Sequence, residues 1–233
     1  LAGVIIEPIQ RTFEPRPGFL PGVREITANF DIPLIFDEVV TGFRSGLGGA
    51  QSLYGVTPDL CALGKAISGG LPLGVLCGRQ DIMAIANPKR RLQMIPYSMQ
   101  TGTFSSNPVC ASVALALIGE LEKPGVYERL EEVGTRVRQG LRDAIAATGI
   151  EACVTGVPSV FEFWYCMDEP YDHSSSTASD LYSNIRFSDL LLRQGVLKAA
   201  EKFFVSAVHS DEDIDRTTKA FHVALAQLAE EVA

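Results

Sequence analysis

The 233 residues carry 46% hydrophobic and 21% charged side chains, the balance of a folded globular protein long enough to bury a real core. A net charge of −8 argues against nucleic acid or an anionic membrane surface as partner, and no apolar run is long enough to span a bilayer. Five cysteines and three histidines lie scattered without metal-ligand spacing, which predicts no metal site and fits a reducing, cytoplasmic setting.

In chain order, Ala2 to Ile6 reads as a strand, and the opening text from Leu1 to Pro8 already has the look of a buried one. A chain opening in mid-sheet is expected to be part of a longer protein. Gly18 to Asn29 reads as a short amphipathic helix, with Phe19, Val23, Ile26 and Phe30 as its apolar face. Pro33–Phe36, Asp59–Leu63 and Leu73–Cys77 are short runs apolar throughout, as in strands covered on both faces. Their alternation with helices predicts an α/β layer with a mainly parallel sheet. Thr41 to Gly49 is glycine-rich and reads as a loop.

Asn107-Pro108 opens a helix to about Leu121, and Lys123-Pro124-Gly125 breaks it. Val126 to Thr148 is a second helix, with Leu130, Val133, Val137 and Leu141 on one face and Gly149 at its end. The boundary between two domains is placed here: 1–124 as part of a larger α/β domain, 125–233 as a smaller α+β domain. In the latter, strands are expected near Glu151–Thr155, Val160–Cys166 and Phe204–Ala207. Helices are expected near Ala178–Gln194 and Asp211–Glu231, the last capped by Ser210. Asp168 to Ser179 reads as a surface loop.

Two residues carry the chemistry. Lys65, in Leu63-Gly-Lys-Ala-Ile-Ser-Gly-Gly70, follows one strand, and Asp37 closes another. Ligands of open α/β sheets sit beyond the carboxyl ends of strands. A surface position is the default for an arbitrary lysine. Apolar and glycine neighbours reverse that default here, because a charged amine is costly to bury, and desolvation makes it a better nucleophile toward an aldehyde. Pyridoxal phosphate needs such an amine to form a Schiff base and a carboxylate to keep its ring nitrogen protonated. On position alone, a solvated or helix-capping role for Asp37 is an equal reading. Glu38 points elsewhere and is expected to be structural. Val39, two residues on, shares the side of Asp37 and suits a flat ring as well as it suits the core. Thr101 to Pro108 places hydroxyls and amides before a helix, which suits a phosphate or ordinary capping.

These segments together resemble the class III, fold-type I pyridoxal-phosphate aminotransferases. The matching text is Ile6-Glu-Pro, Pro17-Gly-Phe-Leu-Pro-Gly-Val-Arg-Glu, Leu34-Ile-Phe-Asp-Glu-Val, Thr41-Gly-Phe-Arg, Gly55-Val-Thr-Pro-Asp-Leu, Leu63-Gly-Lys, Gly69-Gly-Leu-Pro-Leu-Gly and Gly102-Thr-Phe-Ser-Ser-Asn-Pro. The chain is most similar to the glutamate-1-semialdehyde 2,1-aminomutases within that family. The short Asp37–Lys65 spacing, Leu47-Gly-Gly-Ala-Gln, apolar Val40, and Glu201 ahead of Phe204-Val-Ser-Ala-Val-His carry that similarity.

The resemblance implies a Schiff base on Lys65, which also shuttles the substrate α-proton, and Asp37 paired with the pyridine nitrogen. It implies Val39 on the ring face, Thr103 on the cofactor phosphate from the neighbouring subunit of a homodimer, and Glu201 near the substrate amino groups. The substrate would be a small amino acid or an amino-aldehyde or keto compound. Ser106 stands where the aminomutase text has glycine, and Arg90 to Gln100 is longer than in that text, which leaves the substrate open. The N-terminal half of the family fold is absent from this text. Three functions therefore stand side by side: amino-group transfer, other pyridoxal-phosphate chemistry such as racemisation or decarboxylation, or a non-catalytic interaction module.

Overall fold

The computed structural model describes residues 1–10, 12–199 and 201–232. The chain divides into two compact units: Leu1–Ile9 with Pro15–Lys123, and Gln10–Glu14 with Pro124–Ala233.

The first unit contains β1 (Val4–Ile6), α1 (Phe19–Asn29), β2 (Leu34–Glu38), α2 (Gly49–Tyr54), β3 (Leu60–Leu63), β4 (Val75–Gly78), α3 (Gln80–Met83), α4 (Lys89–Leu92) and α5 (Pro108–Leu121). The sheet order is β1-β2-β3-β4. The first three strands run parallel, with Ile6 opposite Phe36 and Ile35 opposite Leu60. β4 returns antiparallel, with Leu63 opposite Val75. A parallel return needs a crossover of a dozen or more residues. The chain instead turns back through Gly69 and Gly70, both left-handed at φ 57° and 91°.

Leu34 and Phe36 in β2 are fully buried and pack with Leu20 of α1 and Val56. The face of α1 differs from the sequence reading. Leu20 and Thr27 are buried and Val23 packs partly, whereas Phe19, Ile26 and Phe30 are exposed. Apolar spacing identified the helix, but α1 is rotated so that the neighbouring stripe meets the sheet. The start of α5 follows the sequence: the Asn107 side chain accepts from the Val109 and Cys110 N–H groups ahead of Pro108.

The second unit contains α6 (Val126–Thr148), β5 (Ala152–Val157), β6 (Val160–Tyr165), α7 (His173–Ser176), α8 (Leu181–Arg193), β7 (Lys202–Phe204) and α9 (Asp211–Val232). Its sheet is antiparallel in the order β5-β6-β7. Leu130, Val133, Val137 and Leu141 form the buried face of α6, which Gly149 ends in the left-handed conformation. The core is aromatic: Phe161 stacks on Phe203 at 5.0 Å, and Phe203 meets Phe221 edge-on at 5.6 Å.

β7 lies earlier than the expected Phe204–Ala207. Its ladder closes where the Val205 N–H donates to the Ser159 carbonyl, and the chain then leaves the sheet. The polar stretch from Asp168 holds one helical turn, α7, closed by reciprocal bonds between Asp172 and Ser175. At the head of α9, Ser210 and Asp213 bond each other in the same reciprocal way. Among the described residues no helix is long and apolar enough to cross a membrane.

Candidate active site

Parallel pairing sets the site. Asp37 lies opposite Ala62, and Glu38 opposite Leu63, at the carboxyl ends of β2 and β3. Val39 then lies beside Gly64: a Cβ on that glycine would sit 3.4 Å from the Val39 Cγ1. Lys65 is the next residue. The register thus gathers Asp37, Val39 and Lys65 at one sheet end, where an open α/β sheet takes its ligand.

Neighbouring carboxylates at 37 and 38 do different work because side chains alternate along a strand. Glu38 is fully buried. It accepts the Thr41 hydroxyl at 2.9 Å, the Ala50 N–H at 2.6 Å and the Gln51 N–H at 3.3 Å. It ties the glycine-rich loop to the start of α2, the structural role read from sequence. Asp37 is half-buried, and one of its oxygens accepts the Val39 N–H at 3.0 Å. Its other oxygen, Oδ2, takes no hydrogen bond among those of the described residues.

Lys65 opens a single 3-10 turn, Lys65–Ser68, with a left-handed φ of 48°. Residues other than glycine adopt that conformation at a cost of roughly 1–3 kcal/mol, and Thr12, Asp31, Phe43, Met94 and Ser106 share it. The Ser68 hydroxyl donates to the Lys65 carbonyl at 2.6 Å and holds the turn. The turn buries Ile67 and Ser68 beside α5 and leaves Lys65 exposed. The desolvated lysine expected from sequence is therefore not what this chain shows. Apolar neighbours in sequence point into the unit, while Lys65 sits on the open side of the turn.

Thr103 is exposed in the turn that precedes α5, and Ser106 there is left-handed at φ 59°. The Asn107 side chain takes two amides of the first turn of α5, so capping accounts for those donors. Among the described residues Thr103 makes no hydrogen bond to Asp37 or Lys65.

Glu201 belongs to the second unit. It is exposed and lines a cavity of about 390 Å³ with Glu162, Trp164, His173, Asn184 and Lys198. Glu162 is 4% exposed. Burial, reinforced by the Glu201 charge, pushes its carboxyl up to about 7 against the pull of Lys202, Thr12 and Lys198. Burial also lowers the Lys198 ammonium to about 8. Neither residue was singled out in the sequence, although a lone acid inside Val160-Phe-Glu-Phe-Trp-Tyr165 was the available signal. Among the described residues no group of three or more His, Cys, Asp or Glu is placed to hold a metal ion.

A mainly parallel sheet ending on an aspartate and a lysine, with an α+β unit after it, is part of the fold-type I pyridoxal-phosphate transferase architecture. The chain belongs to the class-III aminotransferase family, whose model matches residues 1–225. It is 42% identical over 231 residues to glutamate-1-semialdehyde 2,1-aminomutase 2 of Brevibacillus brevis, covering 97% of this chain and 52% of that protein. It is 41% identical to the glutamate-1-semialdehyde 2,1-aminomutase of Pelotomaculum thermopropionicum, covering 94% of this chain and 51% of that one. Among solved structures, an omega-transaminase from Sphaerobacter thermophilus superposes with a TM-score of 0.89 at 32% identity, covering 99% of this chain and 52% of that one. A transaminase with pyridoxal phosphate bound superposes at 0.85 with 27% identity, covering 99% and 53%. The chain thus spans about half the length of the relatives it matches.

Proposed function

We propose that this chain carries the lysine-bearing part of a pyridoxal-phosphate-dependent enzyme that transfers an amino group, as an aminotransferase or an aminomutase of the glutamate-1-semialdehyde type. The observation that supports this most is the β2–β3 register, which sets Asp37, Val39 and Lys65 at one sheet end. The donor set fits the cofactor: a carboxylate with one oxygen left over after its local bond, an apolar side chain beside it, and an exposed primary amine.

When bound, pyridoxal phosphate supplies an aldehyde that condenses with amines and a pyridinium ring that delocalises an electron pair from the substrate carbon. Lys65 Nζ would hold the cofactor and would take and return the substrate proton. The Asp37 carboxylate would keep a proton on the ring nitrogen, and Val39 would offer the ring an apolar contact. Thr103 would donate its hydroxyl to the phosphate from the neighbouring subunit of a homodimer. By the resemblance alone, Glu201 of the second unit would accept hydrogen bonds from the amino group of a small amino acid or amino-aldehyde substrate. Residues 1–124 form part of the cofactor-binding domain and 125–233 the small domain, in a cytoplasmic protein.

The test is absorbance. Pyridoxal phosphate added to the full-length protein containing this chain gives an imine band that Lys65→Ala removes. No band in the unsubstituted protein, or the same band in Lys65→Ala, overturns the reading. A panel of amino donors then separates amino transfer from racemisation or decarboxylation on the same lysine. The half-length match supports a second reading, in which the chain alone acts as an interaction module. Cofactor titration and size-exclusion chromatography of the 233-residue chain decide between them: weak binding with self-association is expected.

A further inference from the structure

We infer that Cys153 and Cys166 are an oxidation site: a dithiol that a two-electron oxidant such as hydrogen peroxide closes into a disulfide. The sulfurs lie 3.4 Å apart. Cys153 lies opposite Trp164 in the β5–β6 ladder, and Cys166 is two residues further, where the strand period returns a side chain to the same face. A disulfide needs its sulfurs roughly 2.05 Å apart. The remaining approach falls on Cys166, which lies beyond the end of β6 at Tyr165 and is released from the ladder. Both cysteines are half-buried and so within reach of a small oxidant.

The other cross-strand cysteines are arranged differently. Cys61 lies opposite Cys77, but Cys61 is buried, whereas Cys153 and Cys166 are both half-buried; a carbonyl contact does not separate the pairs, since Cys77 Sγ lies 3.7 Å from the Cys61 carbonyl and Cys166 Sγ 3.6 Å from that of Trp164. Access therefore selects one pair. In the reaction, one thiol attacks peroxide, the O–O bond breaks, and a sulfenic acid and one water form. The second thiol displaces the hydroxyl as a second water, the S–S bond forms, and peroxide has taken the two electrons. Burial holds both thiols above their ordinary range, so closure is slow at neutral pH and speeds up as pH rises. The bond would tether β5 to the head of the stretch that supplies His173, Ser176 and Thr177 to the 390 Å³ cavity.

The test treats the fully reduced protein with hydrogen peroxide in native buffer, then counts thiols and maps peptides. Two of the five thiols that this chain contributes are lost, the mass falls by about 2 Da, and one cross-linked peptide joins 153 to 166. Cys153→Ser and Cys166→Ser each abolish the mass loss, while Cys77→Ser keeps it. A cross-link between Cys61 and Cys77, oxidation to sulfinic acid without a cross-link, or no thiol loss overturns the inference. Peptide mapping of the unsubstituted protein decides the matter even where a serine variant folds poorly.

Discussion

Asp59 and Leu34 bind each other twice. The Leu34 N–H donates to the Asp59 carboxylate at 2.8 Å, and the Asp59 N–H donates to the Leu34 carbonyl at 2.7 Å. This double tie fixes the start of β3 against β2, and the register it fixes sets Asp37 and Lys65 at the far end. Arg24 and Arg79 each reach the same carboxylate at 2.8 Å.

Asp59 should therefore give an acid-dependent loss of stability. Burial alone would raise its carboxyl, but hydrogen bonds from Arg79, the Leu34 N–H and Arg24 outweigh it and hold the group down at about 2. A depressed carboxyl stabilises the fold above its ordinary value of 3.8, and the contribution fades as pH falls through about 2. It is worth about 2 kcal/mol at neutral pH. Asp59→Asn should cost about that much in urea unfolding at pH 7 and much less near pH 2. An equal loss at both pH values would show that the charge is not what acts.

Glu162 should act in the opposite direction. Its folded carboxyl is raised to about 7 from 4.5, chiefly by burial. Its stabilising effect is complete below the unfolded value and is lost as pH climbs through the folded one. Glu162→Gln should flatten that decline and leave the variant ahead at pH 8 by up to about 3 kcal/mol. Thermal melts at pH 5 and pH 8 check this: the gap between variant and parent should open only at the higher pH.

Two glycine-to-alanine changes in helices should differ in sign. In α6, a Cβ on Gly134 would clash with the Pro158 carbonyl oxygen, with no flexible side chain to move aside. Gly134→Ala should cost about 1–2 kcal/mol even after the gain in helix propensity. In α5, nothing lies within 4 Å of a Cβ on Gly119, and Gly119→Ala should stabilise by about 0.5–1 kcal/mol. Denaturant midpoints of both variants check the pair.

On the proposed function, Asp37→Asn in the full-length protein should separate chemistry from cofactor holding. With the ring nitrogen no longer held protonated, turnover should fall by about 100-fold or more while the imine band persists. Loss of the band with turnover would instead assign Asp37 to binding.

Much of this was legible in the sequence. Uninterrupted apolar runs identified β2 and β3, and Asn107-Pro108, Gly149 and Ser210 marked helix ends, because capping is a local interaction between near neighbours. The text around Asp37 and Lys65 identified the family, and the family model matches the same stretch. Composition and periodicity also gave a mainly parallel sheet followed by an α+β unit.

Other features depend on contacts that no local pattern carries. Which stripe of α1 meets the sheet was decided by Leu20 fitting against Leu34 and Phe36, not by its most apolar spacing. β4 pairs antiparallel with β3 after a connection that contains a 3-10 turn and two left-handed glycines, a direction the apolar run itself does not encode. The exposure of Lys65 follows from which side of its turn packs, and the meeting of Cys153 with Cys166 from the pairing of β5 with β6. The sequence by itself determined which residues are present at each strand end and which chemistry they can support. Only the tertiary structure decided which of them face one another, because strand register and helix rotation are set by long-range packing.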